Sequence, residues 1–165
     1  MRPVVLALLV LLAGAAEALP GQQAVTPPTD SQSIALKGRW TLNVRRTRYG
    51  QSAEPRQRET FACDVVSSQV CCSIRSVRQD GREVVGRFTA PLDGSSAAVT
   101  GIAGIDHVQL RPSARGLLDA TFSWQGKPAF AYRAFRSSDG RSLTIVSVDP
   151  LTRAVLTTAV VYDRQ

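Results

Sequence analysis

Leu118-Asp119-Ala120-Thr121-Phe122-Ser123-Trp124, Gln125-Gly126-Lys127, Pro128 to Arg136, Asp139-Gly140-Arg141, then Ser142 to Val148: this run of sequence decides the fold. Apolar and polar residues alternate through the long pieces, as in half-buried β-strands. The short pieces carry Gly126 and Gly140, and glycine tolerates the positive φ that tight hairpin turns require. A further strand follows from Ala154 to Tyr162. Burial also selects a register for the first hairpin. A three-residue loop with Gly126 in the left-handed position sets Leu118, Ala120 and Phe122 on one face with Phe130 and Tyr132. A two-residue loop sets those apolar groups on opposite faces. For the Asp139-Gly140 hairpin, both registers leave apolar residues on each face and both stay open.

Working outward, the same pattern continues upstream. The domain begins near Leu36, and Gly38-Arg39-Trp40-Thr41-Leu42-Asn43-Val44 alternates, with Trp40, Leu42 and Val44 on the buried face. Arg45 to Arg58 breaks the alternation and reads as a basic loop, with at most one helical turn, draped over one end of the domain. Strands are then expected at Arg58–Val65, Val70–Arg78, Glu83–Ala90, around Val99 and at Ile105–Arg111. No stretch of helical period lies between Arg58 and Gln165. About ten short strands joined by turns predict an all-β domain over 36–165. It is a single up-and-down antiparallel barrel of about eight to ten strands, closed because closure removes exposed edges. A membrane-spanning barrel is the competitor, but it needs aromatic girdles and an outward apolar band. Aromatic residues are scarce here, so no membrane span is expected.

Three cysteines, Cys63, Cys71 and Cys72, allow at most one bridge within the chain. If Ser67-Ser68 is a two-residue turn, Cys63 faces Cys72 on the same side of the hairpin, within reach of a disulfide. A one-residue shift favours Cys71 instead, and three reduced buried thiols are a third possibility. The spacing lacks the second pair of a zinc site, so no metal is expected.

The first 18 residues read as a secretory signal peptide. Met1-Arg2 is a positive start, Val4 to Leu12 an apolar run, and Ala16-Glu17-Ala18 a small-x-small cleavage site. The apolar run is shorter than the roughly 20 residues of a permanent span. Residues 19–35, polar and containing Pro27-Pro28, read as a flexible linker. Periplasmic or secreted localisation follows. The formal charge is +7, with Lys37 and Lys127 the only lysines. Such a surplus suits nucleic acid, anionic headgroups or an acidic partner. In an exported chain it is read as a solvated arginine-rich surface, with no nucleic-acid partner and a monomer as the expected state.

Several segments recur in one order: Gly38-Arg39-Trp40-Thr41-Leu42-Asn43, Tyr49-Gly50, Val99-Thr100-Gly101, Asp106-His107-Val108-Gln109-Leu110, Ser138 to Ile145, and Val160 to Gln165. On these the chain resembles a group of small exported bacterial proteins of uncharacterised function, described as lipocalin-like (calycin-type). The resemblance implies a barrel with one open mouth. It also implies that Trp40 sits near the closed end under a basic side chain of the last strand, here Arg164, in a cation–π contact. Arg46-Thr47 stands where the group often has lysine and serine, and the cysteines are outside the shared pattern.

No catalytic residue or cofactor is expected. His107 is the sole histidine, and alternation in a strand sends it and Asp106 to opposite faces, which forbids a local acid–base pair. Nucleophile elbows, zinc-protease helices and phosphate loops are absent. The function expected is binding of a small hydrophobic or amphipathic ligand inside the barrel. Leu118, Phe122, Phe130 and Tyr132 face the interior, and the arginines near Arg45–Arg58, Arg45 and Arg48 among them, meet an anionic head at the mouth. The alternatives are a filled barrel without a pocket and an envelope interaction module such as a protease inhibitor, acting through the segment before the first strand. An enzyme acting on a lumen-bound substrate, with His107 as its test, ranks behind both.

Overall fold

A computed structural model describes residues 34–51, 53–113 and 116–165. The expected signal peptide, and the linker up to Ser33, lie outside the described residues. Ten strands run in order: β1 (Gly38–Leu42), β2 (Arg56–Val66), β3 (Gln69–Arg78), β4 (Glu83–Pro91), β5 (Ser96–Thr100), β6 (His107–Pro112), β7 (Leu118–Trp124), β8 (Lys127–Arg136), β9 (Ser142–Val148) and β10 (Val155–Arg164). Each pairs antiparallel with the next, and β1 pairs with β10 to close the barrel. The described residues contain no α-helix. The closed up-and-down barrel expected from the sequence is present, at the upper strand number.

The turns set the registers. Ser67 and Ser68 both take positive φ, 49° and 65°, giving a two-residue hairpin that pairs Cys63 with Cys72. The disulfide joins that pair across Cα atoms 4.2 Å apart, and Cys71 is free. At the β7–β8 hairpin the expected face is present but reached differently. Gln125 and Gly126 make a two-residue turn with φ of 51° and 75°. A register shift after Phe122 then leaves Ala129 unpaired, restoring Phe122 opposite Phe130 and Ala120 opposite Tyr132. A bulge absorbs the residue that a longer loop would have held. In the β8–β9 hairpin, Arg136 pairs with Leu143, which turns Leu143 into the core.

Up-and-down connectivity places the β1–β2, β3–β4, β5–β6, β7–β8 and β9–β10 connections at one end, and both chain termini at the other. The terminal end is solid. Trp40, Val70, Ala90, Leu110, Leu118, Ala134 and Leu143 are all fully or almost fully buried there. The last residues of the expected linker belong to this floor, since Ala35 is buried and Ile34 packs against the core. Trp40 Nε1 donates to the Leu36 carbonyl at 2.9 Å. The cation over the indole is Arg136 of β8, its guanidinium carbon 5.4 Å from the ring centroid, and not Arg164. Arg164 is Trp40's ladder partner on β10 and is exposed. Arg136 Nη2 donates to the carbonyls of Ile34 (3.0 Å), Ala35 (3.2 Å) and Lys37. One guanidinium thus ties the incoming chain to the floor of the barrel.

The outer face carries exposed Arg58, Thr60, Arg75, Arg87, Gln109 and Arg111 on β2 to β6. An apolar, lipid-facing band of the kind a membrane barrel presents is missing from those strands. No helix among the described residues is long and apolar enough to cross a membrane.

Candidate functional site

The opposite end is hollow. A cavity of about 1350 Å³ reaches from the connections at that end down to Leu36. It exceeds the roughly 300–1000 Å³ usual for ligand pockets. One wall is aromatic. Phe122 stacks on Phe130 at 4.6 Å between centroids, meets Tyr132 at 5.4 Å and Phe88 edge-on at 6.2 Å. Phe130 is 43% exposed because it stands at the rim, and Val155 and Leu156 continue that apolar rim on β10.

The facing wall is polar. Glu59 of β2, only 7% exposed, accepts from Arg56 Nη1 at 2.8 Å and from the Tyr162 hydroxyl. Arg56 Nη1 also reaches the Tyr162 oxygen at 3.4 Å, and the Arg56 backbone N–H donates to the Tyr49 hydroxyl at 3.3 Å. Burial, then the nearby Glu59 charge, pushes the Tyr132 and Tyr162 hydroxyls above their ordinary value of 10.0, so both stay neutral. For Arg56, burial pulls downward, but Glu59, Tyr162 and Tyr49 together outweigh it and its pKa is raised. Arg78 and Glu54 form a second ion pair on the cavity lining. Tyr132, Ser147 and Ser76, each with a hydroxyl, also line the cavity.

Of the ligand residues expected from the sequence, Phe122, Phe130 and Tyr132 come together on the cavity wall. Leu118, 1% exposed, lies deeper in the solid floor. Arg45 and Arg48 are exposed and outside the lining; Arg48 bridges β10 through Ala159, with both backbone bonds at 2.8 Å. The arginines that do line the cavity are Arg56 and Arg78. A signal for Glu59 was present in the sequence, because period two places it on the same face as Phe61 and Cys63. Cys63 and Cys72 also line the cavity, so the disulfide lies on its inner wall.

The expectation for Asp106 and His107 is overturned. Asp106 precedes β6, where strand alternation does not apply, and its Oδ1 lies 3.0 Å from His107 Nδ1. Its Oδ2 accepts the Gln125 N–H at 2.8 Å. The Gln125 bond first, then His107, holds its carboxyl below the usual range. The histidine is exposed on the outer wall, away from the cavity lining. A shallower hollow of about 430 Å³, also outside, runs past the free Cys71 and Arg87. No metal-binding group of histidine, cysteine or carboxylate side chains occurs among the described residues.

Fold and cavity together define a closed ten-stranded antiparallel β-barrel with one hollow end, an architecture compatible with a lipocalin-like fold. In comparisons with known proteins, no family model, no curated protein and no solved structure matches the chain.

Proposed function

We propose that this protein is an exported carrier that holds a small hydrophobic or amphipathic molecule inside the barrel. The observation supporting this reading is the cavity of about 1350 Å³, apolar on its aromatic wall and hydrogen-bonding on the other. Burying the apolar part of a guest contributes about 25 cal/mol per Å² of area removed from water. The polar groups orient it. Export agrees with the disulfide, because such bonds persist in oxidising compartments.

The test is uptake of a neutral fluorescent naphthylamine dye by the mature chain, alongside solvent extraction of the natively purified protein. Saturable dye binding at micromolar concentration is expected, and Ser147→Phe, which intrudes on the lumen from β9, abolishes it while the circular dichroism spectrum is kept. Absence of both dye uptake and a co-purifying lipid at those concentrations refutes the carrier.

A further inference from the structure

We propose that the lumen selects uncharged amphiphiles, such as long-chain alcohols or amides, over carboxylate-bearing ones, and that Glu59 sets this selectivity. The inference rests on the carrier reading and specifies its ligand class. The protein as a whole carries +7, yet the charged side chains lining the cavity are two arginines and two glutamates. They are already matched: Arg56 with Glu59 at 2.8 Å, and Arg78 with Glu54. The lining of the lumen is therefore electrically balanced, and the surplus of positive charge does not lie on it.

An entering carboxylate would give up its hydration. It would find each guanidinium occupied and a glutamate beside it, in surroundings where like charges repel more strongly than in water. A neutral hydroxyl or amide meets no such penalty. It finds Tyr132 and Ser147 on the lining, whose hydroxyls can donate and accept without a change of charge. The aromatic wall of Phe88, Phe122 and Phe130 takes the hydrocarbon part. Glu59 is the specificity-determining residue because, of the two lining carboxylates that neutralise an arginine, it is the buried one. Its buried position also weakens the screening of a charge placed beside it.

The experiment is displacement of the naphthylamine dye from the mature wild-type protein by dodecanol, dodecanamide and dodecanoate, at about pH 8 where the acid is ionised. Dodecanol and dodecanamide should compete about tenfold or more better than dodecanoate. Glu59→Gln keeps an oxygen to accept from Tyr162 but frees the Arg56 charge. In it, dodecanoate should improve about tenfold or more while dodecanol changes by less than about threefold. Equal or better competition by dodecanoate in the wild type overturns the selectivity and leaves the carrier standing. So does a Glu59→Gln protein that binds the dye but keeps the wild-type ranking. If Glu59→Gln does not fold, the wild-type ranking decides alone. A dye that never binds removes the carrier reading, and this inference with it.

Discussion

Replacing Arg136 by methionine removes the guanidinium over Trp40 while keeping an apolar stem to pack. Its Nη2 serves the Ile34 and Ala35 carbonyls at 3.0 and 3.2 Å and also reaches Lys37. That nitrogen carries two hydrogens, so it supplies no more than two strong bonds at once. A hydrogen bond to a charged group contributes about 1.5–3 kcal/mol, and the contact with the indole about 0.5–2 kcal/mol more. Against this stands up to about 2 kcal/mol of rotamer freedom given up by the arginine. Burial, then the neighbouring Arg164 charge, also holds its pKa below the ordinary 12.5. The net loss expected is about 3 kcal/mol. With a urea m-value of about 2 kcal/mol/M, that moves the unfolding midpoint down by about 1.5 M. The assay is urea unfolding followed by tryptophan fluorescence in a Trp124→Phe background, so that Trp40 alone reports. Arg164→Met is the comparison. Arg164 is exposed and repels Arg136, so its removal should cost less than about 1 kcal/mol. A loss below about 1 kcal/mol for Arg136→Met, or a larger loss for Arg164→Met, refutes the account of how the floor is held.

Opening the Cys63–Cys72 bridge by a double substitution to alanine should cost about 2–3 kcal/mol, from the loop it closes in the unfolded chain, whereas Cys71→Ser should cost under about 1. Thiol titration of the unreduced, unfolded protein should find one free sulfhydryl, Cys71. Tyr132 and Tyr162 hold their protons in the folded state above the ordinary pKa of 10.0, so their contribution is fully present below about pH 10 and is lost as pH rises further. Urea midpoints at about pH 8 and pH 11 should show the decline; an unchanged midpoint contradicts the burial of these hydroxyls. Gly101 has φ of 80°, and any Cβ there would strike the Val85 carbonyl. Gly101→Ala should cost about 1–3 kcal/mol, and clearly more than Gly104→Ala in the same loop, where φ is 74° but the space is open.

Local chemistry was legible in the sequence. Ser67-Ser68 as a two-residue turn puts Cys63 opposite Cys72 by arithmetic alone, and burial put Phe122, Phe130 and Tyr132 on one face before any coordinates. The bulge at Ala129 was not readable, because a three-residue loop and a two-residue turn with one unpaired residue give the same faces. Long-range partners were hidden for a different reason. Arg136 lies over Trp40, and Tyr162 reaches Glu59, only because closure brings β8 and β10 round to β1 and β2. Nothing in the spacing of those residues encodes their meeting. Arg56 was read as one more cation of a basic loop, although it opens β2 and pairs inward. Asp106 was assigned to a strand that begins one residue later, and that single position reversed the direction of its side chain.

The disulfide's place on the lumen wall has a kinetic corollary. A reducing thiolate must approach one sulfur closely, and the hollow end offers one route to Cys63 and Cys72. Any guest seated there blocks that path. On the carrier proposal, protection of the disulfide from a small reductant arriving by that route would rise with occupancy of the lumen.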